Sequence, residues 1–284
     1  MSFGGAVSGA GRSRAYRAGA FLGVGLGAWA AFEAGWVRLE ERTIELDSLP
    51  PELAGLRIAH LSDFHLGVPS RGRIATVRAV DWVEERRPDL VAVTGDLLTR
   101  SRGEALLRSL MARLAAVAPT FAILGNHDFA ISRDPLADRS ELADLSPARL
   151  LSDEGETFEL RGKRIYVAGA DPRSRWSRRR TQPADLARQD ADLRILLIHY
   201  PRLVDGVPPG AFDLVLAGHM HGGQINLPYP GGKVHLAHVG ARFTRGLYRV
   251  SAGTMHVSAG LGTTFVPFRF AARPEATELA LVRA

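Results

Sequence analysis

Short apolar runs alternate with longer amphipathic stretches along most of the chain. Five runs have the length and apolar content of buried strands, at residues 57–62, 90–95, 120–125, 194–199 and 212–218. Two intervening stretches, 73–87 and 103–117, repeat their apolar positions with the period of an α-helix. Strands that alternate with helices are typical of an α/β domain, which is the predicted fold class.

Weaker signals extend this pattern towards the end of the chain. Residues 157–171 are predicted to form a β-hairpin that turns at Arg161 and Gly162. Two more strands are predicted near residues 255–260 and 277–282. No internal repeat is evident, so these elements predict one large domain rather than an array.

The first 44 residues have a different character. Arg12, Arg14 and Arg17 precede an apolar segment at about residues 18–37 that is interrupted only by Glu33. This order is typical of a signal peptide or signal anchor, and about 20 apolar residues span a bilayer. A cleaved signal, an uncleaved anchor and a helix lying in the membrane interface all fit. We expect an uncleaved single anchor in a bacterial inner membrane, followed by the α/β domain at residues 45–284, with the side of the membrane left open.

Composition limits the chemistry that this domain can carry. The chain has 284 residues, of which 46% are hydrophobic and 23% charged, and this balance favours a folded core over disorder. It has no cysteine, which excludes disulfides, thiolate metal sites and a cysteine nucleophile. Any metal is therefore held by nitrogen and oxygen ligands, which suits Mn, Fe, Zn, Mg or Co. The net charge of +6 comes mostly from arginine. It is explained either by an anionic partner or by a GC-rich genome that encodes arginine in place of lysine. No aromatic pattern indicates a nucleic acid partner.

Residues with metal-ligating side chains follow each of the five predicted strands, in the motifs SDFH, GD, GNHD, H and GHMH. The side chains concerned are Asp63, His65, Asp96, Asn126, His127, Asp128, His199, His219 and His221. Because the carboxyl ends of strands in an α/β sheet converge on one crevice, we expect these groups to meet there. Residues i and i+2 of an extended segment point the same way, so Asp63 with His65, and His219 with His221, are each expected to face one point.

In this order the motifs resemble those of the calcineurin-like metallophosphoesterase superfamily: D-x-H, G-D, G-N-H-[D/E], H and G-H-x-H. Longer stretches, among them PTFAILGNHD and GHMHGGQINLP, are similar to the membrane-associated bacterial branch of YaeI/YkuE-type phosphodiesterases, near the chlamydial-type UDP-2,3-diacylglucosamine hydrolase. The resemblance covers about residues 57–282 and implies a four-layer α/β/β/α sandwich of two mixed β-sheets flanked by helices. Met220 departs from that branch, which usually has threonine there, but this position is not a ligand in the family pattern.

The resemblance also implies roles for individual residues. It implies two divalent metal ions joined by a carboxylate: Asp63, His65 and His221 for the first ion, Asn126, His199 and His219 for the second, and Asp96 as the bridge. His127 is implied as the catalytic histidine that protonates the leaving group, and Asp128 is a candidate to orient it. The implied activity is hydrolysis of a phosphodiester or pyrophosphate bond by a hydroxide that bridges the ions, with Mn²⁺ as the expected metal.

The substrate is less well defined than the chemistry. A lipid-linked ester such as UDP-2,3-diacylglucosamine suits a membrane-anchored enzyme, although that substrate is cytoplasmic and the N-terminal arginines predict an external domain. Residues 171–180 contain five arginines and Trp176, and are interpreted either as a solvated loop or as a clamp for a phosphate or an anionic lipid. His235 and His238 are candidates for the pocket mouth. No protein partner is predicted, and the alternative to an enzyme is a metal-free binding scaffold with the same fold.

Overall fold

Two six-stranded sheets face each other across an apolar core. They are seen in a computed structural model that describes residues 21, 23–129, 131–138, 142–177, 180–188 and 190–284. The strands are β1 (Arg38–Leu46), β2 (Arg57–Leu61), β3 (Leu90–Thr94), β4 (Thr120–Ile123), β5 (Arg149–Leu150), β6 (Glu154–Leu160), β7 (Lys163–Gly169), β8 (Leu193–Ile198), β9 (Leu214–Ala217), β10 (Asn226–Tyr229), β11 (Gly232–His235), β12 (Gly246–Val250), β13 (Gly253–Val257) and β14 (Glu275–Arg283).

Helical elements cover the outer faces of both sheets. The α-helices are α1 (Gly72–Arg86) and α2 (Glu104–Val117), and a further helix covers residues 23–33. Short 3₁₀ turns lie at Pro51–Leu53, Ser101–Gly103, His127–Phe129, Pro172–Trp176, Pro183–Leu186, Pro201–Gly206 and His221–Gly223.

Both sheets are mixed. The first has the order β1-β14-β2-β3-β4-β5, in which only the pair of β14 with β2 is antiparallel. The second has the order β12-β13-β9-β8-β7-β6, with antiparallel pairs at its two edges and parallel pairs between them. The carboxyl ends of the inner parallel strands carry the loops in which the polar motifs lie.

Three apolar layers hold the four layers of backbone together. Helices α1 and α2 pack on the first sheet through residues such as Val80 and Leu110. Ile58 and Ile195 belong to the core between the two sheets. Outside the second sheet, Val204 and its neighbours come from 3₁₀ turns rather than α-helices in the described part of the chain. Strands β3 and β9 are buried along their whole length, which explains why their sequences are continuous apolar runs.

The predicted sandwich of two mixed sheets is confirmed. The five predicted buried strands and the two helices lie within two residues of their expected bounds, and the predicted hairpin is formed by β6 and β7. Strands β1 and β12 and the separate β10-β11 pair were not anticipated. Strand β1 lies at the sheet edge and carries charged residues at both exposed and half-buried positions, so it has no continuous apolar run to mark it. Because β1 begins at Arg38, the boundary expected at residue 45 falls inside this strand.

The helix at residues 23–33 ends against the domain. The carbonyl oxygen of Ala30 accepts a hydrogen bond from the backbone N–H of Arg269 at 3.1 Å, and Glu33 is buried. Farther towards the N-terminus the side chains are exposed, as at Phe21 and Val24. Residues 1–20 and 22, which include the start of the expected anchor and its arginines, lie outside the described residues. None of the helices that are described is long and apolar enough to cross a membrane, and the anchor stays a prediction.

Candidate metal centre

The predicted polar clusters meet at the carboxyl ends of strands from both sheets. Asp63 and His65 follow β2, Asp96 follows β3, and Asn126 and His127 follow β4 in the first sheet. His199 follows β8, and His219 and His221 follow β9 in the second. The site is therefore built across the two sheets, and each sheet supplies part of it.

Several of these residues have an unusual backbone conformation. Asp63, His65, Asp96, His219 and His221 all have positive φ, between 45° and 72°. For residues other than glycine this conformation is uncommon, costs on the order of 1 kcal/mol or more, and clusters at functional sites. The backbone at these residues is not extended as expected, because the chain turns sharply there. Asp63 and His65 still face one point, whereas His219 and His221 do not.

Asp63, His65 and His221 form one group of potential ligands. Their ligand atoms all lie within 4.8 Å of one another. His65 Nε2 is 3.1 Å from His221 Nε2, and His221 Nε2 is 3.5 Å from Asp63 Oδ1. The three side chains are almost completely buried, so a cation held here is shielded from bulk water.

Asp96, His199 and His219 form a second group within the same distance limit. His199 Nε2 lies 3.3 Å from Asp96 Oδ2. The same Asp96 oxygen is 3.5 Å from His65 Nε2 in the first group. Asp96 therefore lies between the two groups, which is the position a bridging carboxylate needs. His219 and His221, two residues apart, belong to different groups because the chain turns between them.

Asn126 faces the same cavity from the loop after β4. Its Oδ1 accepts a hydrogen bond at 3.1 Å from the hydroxyl of Tyr200, a residue that sequence reasoning did not single out. The Tyr200 ring also packs edge-on against His219, with 4.4 Å between ring centroids. Burial raises the pKa of Tyr200 above its ordinary value, so the hydroxyl remains a donor. Tyr200 thus orients two of the candidate ligands.

The electrostatics favour neutral imidazoles around one ionised carboxylate. Burial lowers the pKa of His65, His219 and His221 well below the ordinary value. Burial opposes ionisation of Asp96, but the neighbouring His199 and His127 hold the pKa of Asp96 well below its usual range.

Asp63 and His199 carry the protons that a cation must displace. Burial raises the pKa of Asp63 to about 7. Burial also disfavours the charged form of His199, yet the Asp96 carboxylate raises the pKa of His199 to about 9. The centre without a cation thus keeps protons on these two groups near neutral pH.

The donor atoms fit a divalent cation. His199 Nδ1 donates to the carbonyl oxygen of Thr94 at 2.8 Å, so Nε2 is the atom that can bind a cation once its proton is displaced. This buried Nε2 has no hydrogen-bond partner among the described residues. A buried polar atom without a partner is costly, and a cation beside Asp96 would satisfy it. Nitrogen and carboxylate ligands without sulfur are the set that Mn, Fe, Zn, Mg or Co accepts.

His127 lies at the edge of the two groups and lines the cavity. Its backbone N–H donates to Asp96 Oδ1 at 2.9 Å. Its Nε2 is 2.9 Å from the Ser132 hydroxyl and 3.3 Å from that of Thr264, while its Nδ1 is 3.4 Å from the Thr99 hydroxyl. Hydroxyl partners on both sides fix the ring, and either can donate or accept as the tautomer requires.

Asp128 does not orient His127 through a side-chain contact, contrary to expectation. Its carboxylate accepts hydrogen bonds from the backbone N–H groups of Leu97, Leu98 and Gly125 at 2.8 to 3.2 Å. Burial and the nearby Asp96 raise the pKa of Asp128 to about 7. Asp128 ties the loop after β3 to the loop after β4, so it positions the ligands on both loops.

Arg269 is a second residue that sequence reasoning missed. It is fully buried and donates to the carbonyl oxygens of a surrounding loop and of one ligand: Ala259, Gly260, Gly262, Ala272 and His221. Its Nη2 is also 3.2 Å from His221 Nδ1. Burial lowers the pKa of Arg269 to about 10, so it stays charged at neutral pH. The sequence gives one signal for this role, a lone arginine among apolar residues in FRFAA.

A cavity of about 770 Å³ opens above the ligands. Its floor includes Asp96 and His219, and its walls carry apolar side chains, among them Ile131, Trp176 and Phe265. His238 lines it as well, with its ring centroid 5.5 Å from that of His219. A small polar floor under apolar walls is typical of a pocket for a substrate with an apolar part.

Only part of the arginine-rich segment at residues 171–180 lies near this cavity. Arg173 and Arg180 are paired with the buried Asp171 at 2.6 and 2.9 Å. The guanidinium of Arg175 lies over the Tyr200 ring, 4.7 Å from its centroid. Residues 178 and 179 lie outside the described residues. His235 Nδ1 donates a hydrogen bond to Asn226 Oδ1 at 2.6 Å, and His235 does not line the cavity.

Similarity to known proteins agrees with this arrangement. The sequence model of the calcineurin-like phosphoesterase family matches residues 56–223 of this chain, and this range includes every candidate ligand. This chain belongs to the calcineurin-like phosphoesterase family. It is thereby a metal-dependent phosphoesterase, and the predicted family and enzyme class are confirmed.

Calcineurin-like relatives match almost the whole chain. The metallophosphoesterase YkuE of Bacillus subtilis is 30% identical over 266 residues, which cover 91% of this chain and 90% of YkuE. The metallophosphoesterase YkoQ of the same organism is 27% identical over 244 residues, covering 83% of this chain and 87% of YkoQ. The phosphodiesterase YaeI of Escherichia coli is 27% identical over 263 residues, covering 88% of this chain and 90% of YaeI.

Proposed function

We propose that this phosphoesterase holds two divalent ions and hydrolyses a phosphodiester or pyrophosphate bond. The observation that carries the proposal is the position of Asp96 between two groups of buried ligands at the floor of one cavity. In the proposed assignment Asn126 completes the second group. The relative YaeI, which bears the name phosphodiesterase, supports a diester as the substrate class.

Bound divalent ions supply Lewis acidity, because they neutralise phosphoryl charge and lower the pKa of water. The protein supplies the rest. Asp96 stays ionised, and the neutral imidazoles around it leave the cations with net positive charge for the substrate. His127, fixed by Ser132 and Thr264, can hold a proton at Nε2 and deliver it to the leaving oxygen.

The walls of the cavity support a substrate with an apolar substituent. Trp176 and Phe265 are about half exposed at the rim, and both line the cavity above the ligands. Apolar walls exclude water from the reacting groups and strengthen charge interactions at the floor. A lipid-linked phosphate ester is the substrate that we propose on this basis.

The function is tested with the purified full chain and bis-p-nitrophenyl phosphate. We expect turnover with added Mn²⁺, loss of turnover after treatment with EDTA, and two metal ions per chain by elemental analysis. Asp96→Asn should lower the bound metal and reduce kcat by at least about a thousandfold, because it disturbs both groups. Absence of turnover together with absence of bound metal would exclude the proposal.

We also propose that the exposed helix at residues 23–33 contacts an inner-membrane surface. The support is a row of exposed aromatic side chains, Trp29 and Phe32 on the helix and Trp36 just after it, whose ring centroids lie 5.7 to 6.1 Å apart. Aromatic residues favour the interface between water and lipid. Co-sedimentation with anionic vesicles should fall when Trp29 and Phe32 are replaced by serine, and equal co-sedimentation of both proteins would count against the contact.

A further inference from the structure

A second cavity adjoins the metal centre. It has a volume of about 370 Å³ and shares Tyr200, His219 and His238 with the larger cavity. His219 is a candidate metal ligand, so the two cavities meet beside the second group of ligands. A molecule bound at the metal centre can therefore extend into both of them.

The chemistry of the second cavity differs from that of the first. Three arginines line it, Arg175, Arg202 and Arg242, and Asp205 is the one acidic side chain among its described lining residues. Three positive charges and one negative charge leave an excess of two. The larger cavity has mostly apolar walls and one arginine, Arg133, whereas this one is lined by three.

Two of the arginines are held around a single carboxylate. Arg242 Nη1 lies 3.5 Å from Asp205 Oδ1, and Arg202 Nε lies 4.0 Å from Asp205 Oδ2. Both arginine side chains remain mostly exposed, at 68% and 77%. The distances are long for ion pairs, so their donors are free to turn towards an incoming anion.

Arg175 lines the same cavity, so it can bind the same anion as Arg202 and Arg242. Its guanidinium lies over the face of Tyr200, and no carboxylate pairs with it in the described part of the chain. Stacking on an aromatic ring holds the plane of a guanidinium while its N–H groups stay available. Planar guanidinium groups match phosphate oxygens in pairs of hydrogen bonds.

We propose that this cationic cavity binds a second phosphate group of the substrate, next to the phosphate held at the metal centre. The inference rests on the proposed function and narrows it to pyrophosphate esters. A simple diester has one phosphate and leaves the arginines without a ligand, whereas a pyrophosphate ester carries its second anionic group directly beside the first. The apolar substituent then occupies the larger cavity.

The test compares two substrates that differ by one phosphate, bis-p-nitrophenyl phosphate and the symmetrical di-p-nitrophenyl ester of pyrophosphate. In the double variant Arg202→Gln/Arg242→Gln, the ratio of kcat/KM for the pyrophosphate ester to that for the simple diester should fall by at least about tenfold. Asp205→Asn should raise this ratio, because it removes the competing carboxylate. Arg78→Gln, an exposed arginine on α1, is the matched control and should leave the ratio unchanged.

A binding measurement separates this inference from the proposed function. Inorganic pyrophosphate is titrated calorimetrically into the EDTA-treated full chain, so that no metal or turnover contributes. The double variant should bind about tenfold more weakly than the wild type, and Asp205→Asn more tightly. Equal affinity in the wild type and the double variant, or no binding by the wild type, would overturn the cationic subsite. Normal pyrophosphate binding without hydrolysis of either ester would instead overturn the proposed function.

Discussion

Replacing Glu33 by alanine is expected to lower the stability of the fold and the affinity of the candidate centre for metal. The buried Glu33 carboxylate accepts hydrogen bonds from the backbone N–H groups of Ala271 at 3.0 Å and Ala272 at 2.6 Å. The carbonyl oxygen of Ala272 in turn accepts from Arg269, which contacts His221. Loss of the carboxylate therefore frees the loop that holds a positioning arginine against a candidate ligand.

The magnitude follows from the two amide groups that lose their acceptor. A buried donor left without a partner costs about 1 to 3 kcal/mol. Ala271 is exposed, so water can replace part of its bond, and we expect a total loss of about 2 to 4 kcal/mol in the free energy of unfolding. This is a large share of the roughly 5 to 15 kcal/mol typical of a domain. Glu33→Gln keeps one accepting oxygen and should lose about half as much.

The assay is urea unfolding of the full chain followed by tryptophan fluorescence, with calorimetric Mn²⁺ titration of the same samples. Glu45→Ala is the matched control, since this exposed glutamate on β1 should change the free energy of unfolding by less than about 0.5 kcal/mol. An unfolding midpoint of Glu33→Ala equal to that of the wild type would refute the packing argument. Reduced stability with unchanged Mn²⁺ affinity would refute the connection to the metal centre.

Three further predictions concern the centre itself. Metal affinity should rise with pH, because the cation must displace protons from His199, with a pKa of about 9, and from Asp63, with a pKa of about 7. The rise should be about tenfold per pH unit between pH 7 and 9 and steeper below pH 7. Calorimetry across pH 6 to 9 checks this, and a constant affinity would contradict it. Tyr200→Phe should weaken binding of one of the two proposed ions by about tenfold through loss of the bond to Asn126, as measured by metal stoichiometry at limiting Mn²⁺. Gly125→Ala should abolish turnover and lower the melting temperature, because a Cβ there would collide with the Asp96 carboxylate. A normally active variant would show that the loop is not packed this way.

Much of the site could be predicted because ligand identity and strand ends are local properties of the sequence. Short apolar runs located the strands, and the polar residues after them converge as expected from the parallel topology. The direction of each side chain could not be predicted in the same way. Asp63 and His65 lie in left-handed turns, to which the alternation rule for extended strands does not apply.

The supporting residues were missed for a different reason. Glu33, Tyr200 and Arg269 act through partners that are distant in sequence, and Glu33 lies in a segment whose composition indicates a membrane anchor. Strand β1 was missed because, at the edge of the sheet, its inward positions are apolar only at Ile44 and Leu46 and are charged before them. Each of these features depends on tertiary contacts that have no local pattern in the sequence.

The place of β14 in the first sheet has a consequence for how the protein folds. This strand comes last in the order of elements, yet it lies between β1 and β2, where Thr277 pairs with His60 and Glu275 with Arg38. Contacts between such distant residues form slowly because a very long loop must close first. Until then β2 is an open edge that other chains can join, at the base of the loop that carries Asp63 and His65. Pairing of β14 with β2 is therefore expected to be a late folding step, and it covers the edge of the strand that leads to two candidate ligands.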